Sequence, residues 1–222
     1  MCGRYVLAAT LAVAQRFNAT TAPANLAPHY NVAPTQSMPV VIKQSPNQLV
    51  MMRWGLIPSW AKGGKTDYSM INARAESVAQ KPTFRKLLSF QRCLVPADGF
   101  YEWKAGTNGK TPHYIHLKDD ALFAFAGLYD RWKDDQGHEL LTYTIITTTP
   151  NALMAGIHDR MPVILPKDAE EAWLNPDETE PDHLTPLLVP YPAEGMVAAP
   201  ISKAVNNVRN DSPDLLKPLT AQ

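Results

Sequence analysis

Cysteine is scarce in this chain of 222 residues: only Cys2 and Cys93 occur, which excludes a disulfide framework and a thiolate metal cluster. No apolar run reaches the length of a membrane span. The stretch from Tyr5 to Ala14 is interrupted by Thr10 and reads as folded sequence rather than a secretory leader, so a cytoplasmic protein with no membrane partner is expected. Familiar cofactor and hydrolase signatures are missing as well. No GxGxxG follows a strand, no GxxxxGK[ST] loop cradles phosphate, no HExxH offers zinc and no GxSxG presents a serine. His113 and His116 fall on opposite faces of an alternating strand, which argues against a shared metal. Neither a cofactor nor a metal is therefore expected.

Net charge is also zero, with 21 basic and 21 acidic residues, but the two halves differ. Residues 1–110 hold 13 Lys plus Arg against four acids, whereas residues 111–222 hold eight against 17. An anionic partner would be drawn to the first half; alternatively, the halves pack together and neutralise each other.

Twenty prolines and 11 glycines, spread throughout, argue for many short elements joined by ordered loops and against a helical bundle. Alternation predicts strands over 4–7, 40–43, 49–54, 91–95, 99–104, 113–117, 122–129 and 141–148, with weaker signals at 161–165 and 195–199. Asp119 and Asp120 read as a hairpin turn, as does the stretch from Gly106 to Gly109. Helices are expected over 10–17, from a Thr83 cap through Phe90, over 167–174 and briefly after Asn151. Strands without regular helical crossovers predict an α+β fold of one domain over 1–222: a mixed, largely antiparallel curved sheet or barrel with short peripheral helices. Residues 175–192 read as a long surface loop, and 211–222 as a less ordered tail.

The chemistry concentrates in a few places. If Met1 is trimmed, which a small following side chain permits, Cys2 carries an α-amine and a thiol on one residue. Both groups are partly deprotonated near neutrality in their reference states. The pair can close a thiazolidine on an aldehyde, or the amine can serve the sulfur as general base in amide cleavage. A buried structural cysteine is the plainer alternative. Asn72, Arg74 and Glu76 in INARAES share a face if that segment is extended. Glu102, between Tyr101 and Trp103 in DGFYEWK, is suited to act as a general acid, or it is an ordinary strand carboxylate. His158, in GIHDRMP beside Asp159 and Arg160, is a candidate proton shuttle or a surface-turn residue. Arginines and aromatics interleave in the basic half at Arg4, Arg53, Trp54, Trp60, Arg74, Arg85, Arg92 and Trp103. Guanidinium groups fork onto phosphates while exposed rings stack on bases, the combination expected of a single-strand platform. Trp60, in the turn-like PSWAKGGK, is the better stacking candidate; Trp54 is as well explained as core.

With these residues in view, the chain resembles the SRAP family, named for SOS response-associated peptidases and described as abasic-site processing proteins. The matching segments are MCGRY, YNVAPTQ, RWGLIPSW, INARAE, RCLVPADGFYEW, AGLYDRW, IHDRMPVIL and VNNVRN, in family order over nearly the whole chain. The resemblance implies that Cys2 forms a thiazolidine with the ring-opened aldehyde of an abasic site in single-stranded DNA, shielding the lesion during the DNA-damage response. It further implies that Asn72 holds the reacting sugar, that Glu102 transfers protons, and that His158 assists ring opening and reversal of the crosslink. Arg4, Arg74 and Arg160 would grip phosphates or the lesion, Trp60 would stack, Asn31 would shape the pocket, and Asn207 with Arg209 would lie near the strand. Ala61 stands where family members often carry a second aromatic.

Two other functions remain open at this level: an N-terminal-cysteine peptidase or amidohydrolase, including self-removal of Met1, and a non-enzymatic nucleic-acid-binding module with a structural Cys2. The expected partner under the leading reading is single-stranded DNA containing abasic sites, bound by a monomer in the cytoplasm, with replication or repair proteins as further partners.

Overall fold

The structure is a computed structural model that describes residues 2–20, 26–44, 46–64, 70–107 and 109–219; Met1, whose removal the chemistry of Cys2 invokes, lies outside them. Strand β1 (Tyr5–Leu7) leads through helix α1 (Thr10–Arg16) to β2 (His29–Val32), β3 (Ser37–Ile42), β4 (Gln48–Trp54) and β5 (Asn72–Arg74). Helices α2 (Ala75–Val78) and α3 (Pro82–Phe90) precede five longer or core strands: β6 (Arg92–Ala97), β7 (Gly99–Gly106), β8 (Gly109–Leu117), β9 (Phe123–Lys133) and β10 (Glu139–Thr148). Helix α4 (Ala152–Ala155), the two-residue strands β11 (Met161–Pro162) and β12 (Ile164–Leu165), helices α5 (Lys167–Leu174) and α6 (Pro181–Leu184), and β13 (Met196–Pro200) follow.

Strands β10, β4, β3, β6 and β9 pair in that order, and β9 pairs back onto β10, so the sheet closes into a barrel. Closure removes the exposed edges that would otherwise invite aggregation. The barrel is antiparallel except at β10, which runs parallel to β4 at Thr142 and Tyr143 and then parallel to β5 at 145–147. Beside it lies an antiparallel five-stranded sheet in the order β13-β8-β7-β1-β2. Its side chains alternate as strand periodicity demands. Tyr5, Leu7, Phe100 and Ile115 join the main core, whereas Val6, Tyr101 and Tyr114 face a smaller core completed by Ile201, Val205 and Leu215. The second sheet is therefore a middle layer, with the barrel on one side and the C-terminal segment on the other.

An aromatic cluster ties β1 to the barrel. The Tyr5 ring meets Trp54 edge-on at 5.3 Å and Phe125 at 6.0 Å, Trp54 stacks on Tyr143 at 6.4 Å, and the Tyr5 and Tyr143 hydroxyls are 2.8 Å apart. Each such ring pair adds about 0.5–1.5 kcal/mol beyond burial, which fixes β1 and hence the residues just before it. Gly99 permits the close approach of β7 to β8: a Cβ there would lie 2.7 Å from the Ile115 carbonyl oxygen and against the Tyr114 ring.

Several expectations need correction. Asp119 and Asp120 do not turn a hairpin, because β8 and β9 belong to different sheets; the turn carries the chain between layers. Helix α3 begins at Pro82 with Lys81 at its cap, since proline lacks the N–H that a first helical residue leaves unbonded; Thr83 lies inside. Residues 175–192 contain α6 and a 3-10 turn over Thr185–Leu187, with Leu184 and Leu188 buried. The expected loose tail is anchored through 219: Leu215 is buried, Ile201 bridges Pro218, and Asp211 accepts bonds from the backbone of Tyr30 and Asn31. Residues 220–222 lie outside the described residues.

Candidate active site

Cys2, separated from β1 by Gly3 and Arg4, has no exposed surface. Its thiol is 3.9 Å from the Arg4 carbonyl oxygen. Burial pushes the thiol's pKa well up, and the nearby Glu102 carboxylate pushes it the same way. The sulfur is therefore a neutral thiol near pH 7 rather than a standing thiolate. Glu102 projects from β7 on the same face as Phe100, toward the barrel, and is 2% exposed, while Tyr101 and Trp103 take the opposite face. Its Oε2 lies 3.9 Å from His158 Nε2. His158 belongs to the loop between α4 and β11 and keeps 28% of its side chain exposed, so it lies between the buried pair and solvent.

The other ring nitrogen of His158 faces two groups with opposite demands. Its Nδ1 lies 3.0 Å from the backbone N–H of Arg160 and 2.8 Å from the exposed carboxylate of Asp159. The amide needs a lone pair on Nδ1, and the carboxylate needs a proton there. Accepting from the amide leaves the neutral ring's proton on Nε2, directed toward Glu102.

Asn72 is on β5, beside β10. Its amide nitrogen donates to the Ile145 carbonyl at 3.4 Å, and its Oδ1 is buried without a hydrogen-bond partner among the described residues. Such an acceptor is ready for a donor from a ligand. Arg74 follows on the same strand and is exposed. Arg160 is engaged inside the protein: its guanidinium grips Glu76 in a fork, at 2.6 and 3.0 Å, and donates to the Thr147 carbonyl at 2.6 Å. The hydrogen bonds from Arg160, and less strongly its charge and that of Arg74, hold the Glu76 carboxyl below its ordinary range.

A separate cluster forms behind the second sheet. Arg4 donates to Asn31 Oδ1 at 2.8 Å and to the Val205 carbonyl at 2.9 Å. Asn31 is 1% exposed, and its amide nitrogen donates to the carbonyls of Val205, Asn207 and Asn210. Asn31 thus fastens the C-terminal segment, and as it stands its side chain cannot touch a DNA strand. Asn207 and Arg209 are on the exposed side of that segment, where Asn207 Oδ1 accepts from the Arg209 backbone N–H.

Trp60 is 67% exposed, whereas Trp54 has no exposed surface. Ala61, by contrast, is buried, and its carbonyl accepts the indole N–H of Trp132 at 2.7 Å. Arg53 is half-buried on β4, opposite Ser37 and Thr142. Arg85 is exposed on α3 and lines a different shallow depression with Pro82, Lys86 and Phe90. The structure brings Glu102 to 3.9 Å from His158, sets the Cys2 thiol within the field of the Glu102 carboxylate, and joins the INARAES segment to the His158 loop through Arg160. Thr147 and Asp211 are polar anchors that sequence reasoning missed. Thr147 reads only as a strand residue, and Asp211 sits in the stretch expected to be a loose tail.

The family model for SOS response associated peptidase (SRAP) matches residues 1–208. The chain belongs to the SRAP family. It is 50% identical over 222 residues to the abasic site processing protein YoqW of Bacillus subtilis, covering 98% of this chain and 99% of the relative. It is 36% identical to the abasic site processing protein HMCES of Gallus gallus, covering 86% of this chain and 66% of that protein. In three dimensions it matches the crystal structure of a protein from Bacteroides thetaiotaomicron with a TM-score of 0.88 and 31% identity, over 99% of this chain and 100% of the other. The SRAP architecture is thus a mixed α+β fold with a closed barrel core and short peripheral helices.

Proposed function

We propose that this SRAP protein captures abasic sites in single-stranded DNA as a thiazolidine crosslink on Cys2. The observation that carries the reading is the line from the Cys2 thiol to the Glu102 carboxylate to His158, in a chain whose close relatives are called abasic site processing proteins. The neutral thiol bears on the order of events. With Met1 removed, the α-amine of Cys2 is the stronger nucleophile, attacks the ring-opened C1′ aldehyde and gives a carbinolamine. Loss of one water forms the imine, with Glu102 delivering the proton that the departing hydroxyl needs. The thiol then adds to the imine carbon and its proton passes to nitrogen, closing the ring with net release of one water. Sulfur and imine share one residue, so the second step gains from high effective concentration. His158, nearer solvent, serves the protons of sugar opening and of reversal.

Asn72 Oδ1, buried and ready to accept, supports a role in holding the sugar, and Arg74, Asn207, Arg209 and Trp60 offer exposed contacts for the flanking strand. Arg4, Arg160 and Asn31 support that surface from within; Arg53 and Arg85 are the more remote candidates. Phosphate contacts of this kind carry little base preference, and affinity falls as salt rises. We read the protein as a DNA-associated monomer of the cytoplasm that needs no cofactor and acts alongside replication or repair proteins. A thiol-peptidase would start from the same protonated thiol, with the α-amine as its general base; the names of the relatives favour the crosslink.

The test is incubation of purified protein with matched intact, abasic and borohydride-reduced abasic oligonucleotides. An SDS-resistant adduct should appear only with the aldehyde, on protein lacking Met1, at the summed mass less one water. An equal yield from Cys2→Ala without reductant would overturn the assignment.

A further inference from the structure

The INARAES segment contributes one residue that this chemistry does not use. Glu76, in the first turn of α2, is half exposed, yet both its oxygens are bound to Arg160, at 2.6 and 3.0 Å. Arg160 is held at both ends. Its guanidinium is fixed by Glu76 and by Thr147, through the carbonyl at 2.6 Å and Oγ1 at 3.3 Å, while its backbone N–H points at His158 Nδ1 at 3.0 Å. Thr147 in turn lies opposite Arg74 in the β10–β5 pairing. The carboxylate thus connects the end of β5, the end of β10 and the loop that carries His158. Arg160 Nε remains buried without a hydrogen-bond partner among the described residues, so the two bonds to Glu76 provide half of the four contacts that locate the guanidinium.

We infer that Glu76 is a positioning residue for proton transfer: by clamping Arg160 it holds the 158–160 turn so that His158 accepts at Nδ1 and turns Nε2 toward Glu102. The inference rests on the proposed crosslinking function. It makes a distinctive claim, because removing a negative charge between Arg74 and Arg160 cannot weaken the attraction of those arginines for phosphate. Loss of the clamp should therefore slow chemistry while leaving strand binding equal or tighter. A carboxylate that merely competes with phosphate would give tighter binding at an unchanged rate. One needed only for folding would lower melting temperature and binding together.

The experiment compares wild type, Glu76→Gln, Arg160→Met and the double variant. Three quantities are read: the first-order rate of SDS-stable adduct formation at saturating abasic single-stranded oligonucleotide, the rate of adduct release, and the dissociation constant for the matched intact oligonucleotide. Glu76→Gln should slow formation and release about tenfold, as expected for loosened rather than lost proton transfer, with intact-strand affinity equal or higher. Methionine at 160 keeps the backbone N–H but lacks the fork, so adding Glu76→Gln to Arg160→Met should cost nothing further. Wild-type rates in Glu76→Gln, additive losses in the double variant, or a slowed rate that tracks weaker binding and a lower melting temperature would each overturn the clamp. If wild-type protein itself forms no adduct, the crosslinking function fails and not the clamp alone.

Discussion

Two arginines show how differently this fold uses the same side chain. Arg92, at the start of β6, is 7% exposed and donates to five backbone carbonyls, of Leu88, Ser89, Trp173, Asn175 and Glu178, at 2.5–2.8 Å. It closes the C-terminal end of α3 and pins the end of α5 and the segment after it to the barrel. Arg160 is nearly as enclosed but grips a half-exposed acid and keeps its Nε without a partner among the described residues. Around Arg92 polar capacity is filled; around Arg160 and Asn72 some is left over. Unfilled capacity in a buried setting is costly to keep; Thr144 Oγ1 in the barrel and Ser77 Oγ also lack partners among the described residues, and at Arg160 the unfilled group adjoins the turn that carries His158.

The contrast is broken most completely at the reactive end. Cys2→Ala should abolish the stable adduct while losing about 1 kcal/mol of unfolding free energy from the buried sulfur, as gels and unfolding curves on the same preparation would reveal. Arg92→Met should do the reverse. Leaving several buried carbonyls without donors should lower unfolding free energy by about 3 kcal/mol, yet the adduct rate per folded molecule should match wild type. Glu102→Gln, which keeps the shape but removes the group that takes up and gives back protons, should slow adduct formation by about 100-fold in single-turnover assays. Trp60→Ala should weaken intact-strand binding by about 1 kcal/mol, roughly fivefold, with no change in melting temperature.

The smallest effect concerns acid. Glu76 is held below its ordinary range by Arg160, so its ion pair stabilises the fold above the unfolded carboxyl pKa of about 4.3 and is lost as pH falls through the lower folded value. Because the pair is partly exposed, its worth is below about 1 kcal/mol. Melting temperatures of wild type and Glu76→Gln should differ most near neutrality and converge in acid.

Much of this architecture was legible in the chain. Alternation located the long strands because one face of each is buried, and it separated Glu102 from Tyr101 and Trp103, which the two layers of core then explain. Three-residue β5 and the polar strand β2 are not among the expected strands because each is too short or too polar for periodicity to register; their extended form depends on partners far along the chain. The charge halves partly neutralise each other at Arg16–Glu170, whereas Arg160–Glu76 joins the minority charge of each half. Neither pairing could be read from sequence, since ion pairs 154 and 84 residues apart leave no local pattern. The engagement of Asn31 was hidden for the same reason.

That engagement has a consequence for the order of events during synthesis. The carbonyls that hold Asn31, and through it the guanidinium of Arg4, belong to residues 205–210. The first part of the protein to leave the ribosome is thus among the last to acquire its final surroundings. Residue 2 is made long before the strand that carries Glu102 and the turn that carries His158, so the proton transfers proposed for it wait on both.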